Sequence, residues 1–255
     1  MWASRESWGW CAGRRWPPSC PRYYADPSRR RAFVSNLFDD TAKHYDWIIK
    51  VMSFGSGNRY RKEALLRAGL RPGMHVIDVA SGTGPVSRSE VDIVGPHGSV
   101  VSVDRSYNML DVARKSVPTP GIQASAEDLP FPDNQFDFLS MGYALRHVDD
   151  LNDTFAEYRR VLKPGGSVLI MELTPPKSAI GRRFVKFYLN SVVPTIARIG
   201  TRSDDARTLM KYFWDTIDSC VPPQSILDAM KRSGFADVSC HCISGVFREY
   251  VGRKP

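Results

Sequence analysis

The feature that most constrains this chain is a stretch in which a short apolar run is followed by a carboxylate and a glycine-rich turn. It reads Met74-His75-Val76-Ile77-Asp78-Val79-Ala80-Ser81-Gly82-Thr83-Gly84. The β-branched run predicts a buried parallel strand, and the turn after it predicts the start of a helix. Unpaired N–H groups at a helix start, beside small residues, let a ligand approach the backbone closely. The stretch therefore predicts a nucleotide-type site in an α/β fold.

Two cofactor classes use such a turn, and the residues distinguish between them. A dinucleotide fingerprint requires G-x-G-x-x-G, but Ser87 stands at the third glycine position after Gly82 and Gly84. Asp78 at the strand end would repel a pyrophosphate, whereas it suits a cationic amino-acid group. The turn therefore disfavours a nicotinamide dinucleotide and favours a cofactor with a positively charged amino-acid part.

A second β-branched run supports this interpretation. It covers Ser99–Val103 and is followed by Asp104, where an acid can accept the two hydroxyl groups of a ribose. Asp78, Gly82, Gly84 and Asp104 together resemble the S-adenosyl-L-methionine site of class I methyltransferases. We therefore predict this cofactor, while the pattern does not indicate a substrate.

Length, composition and charge exclude several other classes of protein. The 255 residues suffice for one large α/β domain, and no apolar run approaches the roughly 20 residues that span a bilayer. Of the net charge of +8, residues 1–31 carry +5, from seven arginines against two acids, which leaves +3 for the rest. Because the folded part is only mildly basic, we expect no nucleic-acid partner.

The cysteines indicate a reducing compartment. They are five in number, without a C-x-x-C pair, and Cys240-His241-Cys242 alternates as a strand would, so its members face opposite sides. We therefore expect reduced thiols, no metal site and a cytoplasmic protein.

Residues 1–32 read as an extension rather than as part of the fold. The segment is arginine-rich and acid-poor, but Pro17, Pro18 and Pro21 interrupt it and it has no secretory apolar region. A disordered extension and a presequence-like segment both fit, so the predicted domain is 33–255.

Strand-like and helix-like segments alternate after the first turn. The sequence predicts strands near 99–104, 121–124, 136–141, 167–173, 238–243 and 246–251, with helices at 85–93, 106–116, 151–162 and 222–233. It also predicts helical structure from residue 33, a helix capped by Asn58, a cap by Ser106 for the helix at 106–116, and a loop at 163–166. This order predicts a mostly parallel, twisted seven-stranded sheet with helices on both faces. Helical material at 177–218 interrupts the alternation, and we expect it to form a lid over the carboxyl ends of the strands.

Several stretches resemble one family, the UbiE-type ubiquinone and menaquinone C-methyltransferases, over about residues 36–252. The matching segments are Tyr45-Asp46, Met52-Ser53-Phe54-Gly55, Asp78–Gly84, Ala126-Glu127-Asp128-Leu129-Pro130-Phe131-Pro132-Asp133, Leu145-Arg146 and Arg159–Gly166. The resemblance implies a Rossmann-like fold and methylation of a ring carbon of a quinol or related phenol. It also implies cofactor contacts from Asp78, Ala80, Gly82, Thr83, Gly84, Asp104, Arg105, Met109, Ser125, Ala126, Glu127 and Gly142, with Ser125 and Ala126 beside the adenine.

The chain departs from the family pattern mainly on the substrate side. His147 follows Leu145-Arg146 where the family usually has asparagine, Asn58 replaces a histidine, and Pro85 follows the glycine turn in place of aspartate. A different phenolic or lipid-like acceptor therefore remains an alternative. A cofactor-binding scaffold subunit of a quinone-biosynthesis complex remains another.

Three residues are candidates for the chemistry at the acceptor. An aromatic carbon becomes nucleophilic when a neighbouring phenol loses its proton, so a base or a stabilising cation is needed. By the resemblance Arg146 stabilises the phenolate, directly or through water; the alternative is a surface salt bridge. Tyr45 is either a hydrogen-bonding group or a core residue. His147 is either the base, since its ordinary pKa is near 6.5, or a structural residue.

One further stretch suggests a surface role. Gly181–Tyr188 combines Arg182, Arg183 and Lys186 with aromatic residues. It either lies on a membrane surface to collect a lipidic substrate, as a peripheral protein at the inner membrane, or packs as a lid helix with a solvated basic edge. The sequence does not determine the oligomeric state, and a homodimer is one alternative.

Overall fold

The computed structural model describes residue 23 and residues 29–52, 55–196 and 205–255. Its strands are β1 His75–Val79, β2 Ser99–Asp104, β3 Gly121–Gln123, β4 Phe136–Gly142, β5 Leu162–Leu173, β6 Ala236–Ile243 and β7 Phe247–Arg253. They form one sheet in the order β3-β2-β1-β4-β5-β7-β6. The pairings among β1 to β5 are parallel, and β7 runs antiparallel to both of its neighbours, β5 and β6. The predicted mostly parallel seven-stranded sheet is confirmed.

Eight longer helices lie within the described residues. They are α1 Arg30–Met52, α2 Gly57–Arg67, α3 Pro85–Val94, α4 Tyr107–Arg114, α5 Leu151–Val161, α6 Ala179–Phe187, α7 Asp205–Asp218 and α8 Pro223–Arg232. A turn of 3-10 helix covers Leu145–His147, and a π-helical turn, Tyr188–Val192, extends α6. None of these helices combines the length and the apolar character needed to cross a membrane.

Side chains on both faces of the sheet are buried, which explains why its central strands read as continuous apolar runs. Neighbouring residues of one strand enter different cores: Ile77 packs with α5 and α8, whereas Val76 packs with α2 and α3. The same alternation holds for Leu139 and Phe138 in β4. Helices therefore cover both faces, as predicted.

A third apolar cluster lies at the carboxyl ends of the strands. It joins α1, the π-helical turn and α7, with Ile48, Leu189 and Phe213 among its buried members. Phe213 of α7 packs against Phe38 of α1, with 6.3 Å between ring centroids. Most of the described part of 177–218 is helical and contributes buried residues to this cluster. Its role as a lid stays a prediction.

Three local predictions were wrong. The loop expected at 163–166 belongs to β5: Phe136 pairs with Leu162 and Phe138 with Ser167, so the extra residues form a bulge within the strand. The second helix begins at Gly57 rather than after an Asn58 cap, because the Asn58 side chain accepts a hydrogen bond from Arg61 instead.

The third difference concerns the start of the domain. The first helix begins at Arg30 rather than near residue 33, and the Arg30 guanidinium lies 3.1 Å from the Asp149 carboxylate. This ion pair ties the beginning of α1 to the loop before α5. The remainder of the predicted extension, apart from residues 23 and 29, lies outside the described residues.

Candidate active site

A cavity of about 830 Å³, including its mouth, lies at the carboxyl ends of β1, β2 and β4. The outer wall belongs to α1, through Val34, Ser35 and Phe38. Open α/β sheets bind their ligands at this edge. Ten of the fifteen predicted site residues line the cavity: Tyr45, Ala80, Gly82, Asp104, Arg105, Met109, Ala126, Glu127, Gly142 and His147.

The turn after β1 adopts backbone angles that few side chains tolerate. Ala80, Gly82 and Gly84 have φ values of 55°, 58° and 83°. A Cβ built on Gly82 would meet no atom within 4 Å, whereas one on Gly84 would come within 2.8 Å of the Val117 side chain. Gly82 therefore leaves space for a ligand. Gly84 is needed for packing and, contrary to the prediction, does not line the cavity.

Asp104 connects β2 to the glycine turn. One carboxylate oxygen accepts a hydrogen bond from the Gly82 amide at 2.7 Å, and the other accepts one from the Ser106 amide at 2.8 Å. Burial raises the pKa of this carboxyl, and the two amides oppose that shift. Because each carboxylate oxygen has a second lone pair, Asp104 can accept two further hydroxyl groups from the cavity.

A polar chain of three side chains forms the next part of the wall. The Arg105 guanidinium donates to the Ser125 hydroxyl at 2.6 Å, and that hydroxyl donates to Glu127. Glu127 also accepts a hydrogen bond from the Asp149 amide at 2.9 Å. Ser125 does not line the cavity itself. It links Arg105 to Glu127 by hydrogen bonds from behind the wall.

Two hydroxyl groups hold α1 over the cavity. Thr83 donates a hydrogen bond to Asp46, and Ser106 donates one to Asp39. Both acids belong to α1 and are seven positions apart, so they share a face of the helix. The predicted contact of Thr83 with the cavity is not found, because its hydroxyl is bound to α1 and the residue is buried.

Asp78 lies beneath the cavity rather than in its wall. It is fully buried, and its two oxygens accept hydrogen bonds from Ser87 at 2.5 Å and Ser140 at 3.1 Å. Burial raises the pKa of Asp78 to about 7. Both oxygens of Asp78 therefore have partners in the protein interior, and its contact with a cationic ligand stays a prediction.

A second carboxyl lies close to Asp78. Glu90 of α3 is also fully buried, and neither of its oxygens has a hydrogen-bond partner among the described residues. Burial and the neighbouring Asp78 charge raise the pKa of Glu90 well above its usual range. The two acids thus form a buried pair that holds protons instead of a ligand.

His147 and Tyr45 form another part of the cavity wall, called here the acceptor end. His147 Nδ1 lies 3.1 Å from the Tyr212 hydroxyl, and Nε2 is buried without a partner in the described part of the chain. Burial, together with the charges of Arg146 and Arg30, lowers the pKa of His147 well below its usual value, so the ring is neutral. Burial raises the pKa of Tyr45 to about 12, so its phenol remains protonated.

Arg146 departs most from its predicted place. Its side chain is 1% exposed and lies 2.6 Å from the Glu172 carboxylate, also buried. Further bonds run from Nη1 to the Tyr143 carbonyl at 2.5 Å and from Nε to Thr216 at 3.2 Å, and the guanidinium lies over the Phe213 ring. Arg146 thus joins the loop after β4 to β5 and to α7. It forms no surface salt bridge, and it is not among the residues that line the cavity.

Three aromatic residues of the acceptor end were not predicted as site residues. Phe38 contacts both Tyr45 and His147, with ring centroids 5.9 and 5.6 Å apart. Tyr143 lines the cavity after β4, and Tyr212 reaches His147 from α7. The seven-residue spacing of Phe38 and Tyr45, which places them on one face of α1, was the only sequence feature that could have indicated Phe38 as a site residue. The other two contacts depend on tertiary packing.

The strand order, the glycine turn and the acid at the end of β2 define a class I methyltransferase. The fold matches that of a SAM-dependent methyltransferase from Thermotoga maritima, with a TM-score of 0.62, 20% identity and coverage of 87% of this chain and 99% of the other. A SAM-dependent methyltransferase from Aquifex aeolicus gives a TM-score of 0.57 at 16% identity, covering 76% of this chain and 89% of that one.

The sequence comparisons identify the family. The model of the ubiE/COQ5 methyltransferase family matches residues 26–254, and the chain belongs to that family. The ubiquinone/menaquinone biosynthesis C-methyltransferase UbiE of Saccharophagus degradans is 34% identical over 90% of this chain and 93% of its own length. The demethylmenaquinone methyltransferase of Symbiobacterium thermophilum is 32% identical over 89% of this chain and 95% of its own length. The chain is thus a methyltransferase that uses S-adenosyl-L-methionine.

Proposed function

We propose that this chain methylates a ring carbon of a quinol, in the manner named for its relatives. The observation that carries the proposal is a single cavity lined by two unlike groups. Asp104 offers it spare lone pairs, in the part of the wall called here the donor end. His147, in the acceptor end, is neutral, and its Nε2 has no hydrogen-bond partner among the described residues. The donor end suits a ribose-bearing methyl donor, and the acceptor end suits an acceptor with an acidic hydroxyl group.

The donor end fits S-adenosyl-L-methionine. Asp104 would accept the two ribose hydroxyls, Gly82 leaves the turn open, and Met109, Ala124 and Ala126 offer an apolar surface for the adenine. The cofactor supplies an electrophilic methyl group on a sulfonium centre. The Asp46 and Asp39 bonds to Thr83 and Ser106 position α1 so that its aromatic residues close the space above the donor.

The acceptor end supplies the proton chemistry. His147 removes the phenol proton of the acceptor through Nε2, which makes the neighbouring ring carbon nucleophilic. After methyl transfer the ring carbon loses its proton to water, and the ring becomes an aromatic phenol again. Tyr45, which remains protonated, donates a hydrogen bond to the resulting phenolate oxygen. Phe38 packs beside both groups and excludes water from the ring. Holding the ring carbon in line with the methyl group then contributes much of the rate.

Arg146 contributes to the reaction by positioning. Its bonds to the Tyr143 carbonyl and to Glu172 hold the turn that carries His147. Burial lowers the pKa of the His147 imidazole most, and the Arg146 charge lowers it further, which helps to keep the ring neutral. Arg146 therefore acts through His147 rather than on the acceptor.

The direct test is methyl transfer in vitro. The purified chain is incubated with isotope-labelled S-adenosyl-L-methionine and, separately, with a demethylated benzoquinol and a demethylated naphthoquinol under reducing conditions. We expect a product heavier by one CH₂ whose fragments carry the label on the ring carbon. The Asp104→Ala variant should give no product. Label on the phenol oxygen, or no transfer to either quinol, would overturn the proposal.

A further inference from the structure

The helix α6 exposes an apolar face to solvent. Ile180, Phe184 and Phe187 are 83%, 67% and 60% exposed, and no residue of this helix is buried. Their spacing of four and three residues places all three on one side of the helix. Large apolar side chains that are grouped in this way mark an interaction surface, unlike single exposed residues.

The charges beside this face are all positive. Arg182, Arg183 and Lys186 are exposed, and α6 contains no acid. Arg182 is paired with Asp218, but Arg183 and Lys186 form no ion pair with residues of the described segments. An apolar stripe flanked by unpaired basic residues complements an anionic lipid surface, where basic groups meet head groups and apolar groups enter the acyl boundary.

The other side of α6 is continuous with the active-site wall. Val185 of α6 and Tyr188 of the following π-helical turn pack against the same buried cluster as Phe38 and Tyr45. The Tyr188 hydroxyl also donates a hydrogen bond to the Met52 carbonyl at the end of α1, at 3.4 Å. The exposed face and the acceptor end of the cavity therefore belong to one packed unit.

We propose that the apolar face of α6 docks the protein on an anionic bilayer, as a peripheral contact. The docking itself stands apart from the proposed function; only its use, delivery of a lipidic quinol to the acceptor end, depends on that function. The basic residues select an anionic surface, and the two phenylalanines with Ile180 enter the boundary between head groups and acyl chains.

Vesicle co-sedimentation tests the docking. Vesicles of phosphatidylcholine with phosphatidylglycerol are compared with phosphatidylcholine alone, using the wild-type chain and the triple variant Ile180→Ser/Phe184→Ser/Phe187→Ser. We expect the triple variant to bind the anionic vesicles at least tenfold more weakly. The pair Arg183→Glu/Lys186→Glu should lose the preference for phosphatidylglycerol. Leu66→Ser, at a residue of α2 that is 42% exposed, is the matched control and should bind as wild type does.

Two results would overturn the docking. One is equal vesicle binding by the wild type and the triple variant. The other is a wild-type dimer that binds no vesicles and becomes a monomer in the triple variant, since the face would then be a subunit interface. Binding of S-adenosyl-L-methionine by each variant verifies that it is folded.

An activity assay separates this proposal from the proposed function. Methyl transfer to a water-soluble short-chain quinol should be the same in the wild type and the triple variant. Transfer to a long-chain quinol in anionic vesicles should fall at least tenfold. If neither quinol is methylated but vesicle binding remains sensitive to the triple variant, the proposed function fails and the docking stands.

Discussion

The Tyr212 hydroxyl lies 3.1 Å from His147 Nδ1, and the two rings stack with 13° between their planes. This contact joins α7 to the turn after β4 at the acceptor end of the cavity. The proposed reaction needs a lone pair on His147 Nε2, which requires the proton on Nδ1. In that tautomer Nδ1–H donates to the Tyr212 oxygen, so Tyr212 is a positioning residue.

Replacing Tyr212 by phenylalanine should slow the reaction without weakening substrate binding. The lost hydrogen bond is worth about 1 kcal/mol, so we expect kcat to fall by about three- to tenfold with KM unchanged. Steady-state kinetics with a quinol measure this. The matched control is Tyr188→Phe, whose hydroxyl bonds to a backbone carbonyl instead. An equal loss in both variants would exclude a specific role for Tyr212.

Replacing His147 by asparagine should remove the acidic limb of the pH–rate profile. The pKa of His147 lies well below its usual value, so the wild type should remain active through neutral pH and lose activity only at clearly acidic pH. The variant lacks this titration, and loss of a general base typically costs about 10²-fold or more in kcat. His97→Asn, at an exposed position, is the control. An unaltered profile in His147→Asn would eliminate His147 as the base.

Replacing Asp104 by asparagine should weaken binding of S-adenosyl-L-methionine. Hydrogen bonds to a charged group contribute about 1.5–3 kcal/mol, so we expect the Kd to rise by about 10- to 100-fold. Isothermal titration calorimetry measures the change. Asp111→Asn removes an acid of the same type from the exposed face of α4, where it pairs with Lys115, and should bind normally. Normal affinity in Asp104→Asn would contradict the ribose assignment.

Replacing Arg146 by methionine should destabilise the protein. The change leaves Glu172 buried without its cation, which typically costs about 3–5 kcal/mol. Urea denaturation should show this loss, and the double variant Arg146→Met/Glu172→Leu should recover part of it because no charge is then left buried. An Arg146→Met variant as stable as the wild type would contradict the prediction, because the buried Glu172 carboxylate would then be tolerated without its cation.

Replacing Glu90 by glutamine should stabilise the protein in alkaline solution. Burial raises the pKa of Asp78 to about 7 and that of Glu90 well above its usual range, so the folded state holds more protons than the unfolded state. Its free energy of unfolding therefore falls as the pH rises above about 4, and it continues to fall until both acids are ionised in the folded state. Removing one of the two acids lessens this loss.

Thermal unfolding of Glu90→Gln measures the effect. We expect a gain in Tm of about 5 °C near pH 8 and a smaller gain near pH 5, where both acids are protonated in the folded state. Glu63→Gln, at a solvated acid of α2, should show neither gain. The prediction fails if Glu90→Gln shows an equal gain at both pH values.

Much of the fold could be read from local patterns. The second strand ends at Asp104 and Ser106 caps α4 through a bond to the Met109 amide, both as predicted. These features depend on neighbours in the chain: β-branched side chains favour strands, and a serine hydroxyl satisfies an amide three residues away. The donor end of the cavity was predictable for the same reason, because its main parts lie within one strand–helix–strand unit.

Only the tertiary structure determines where the side chains around the acceptor end lie. Arg146 was recognised by its sequence context, but its burial depends on Glu172 and Thr216, which reach it from other elements. Asp78 likewise turned inward because Ser87 and Ser140 satisfy it there. Local sterics determine which segments form strands and helices. Whether a charged side chain faces the cavity or the protein interior depends instead on partners that offset the cost of its desolvation. These partners are distant along the chain, so local sequence patterns do not identify them.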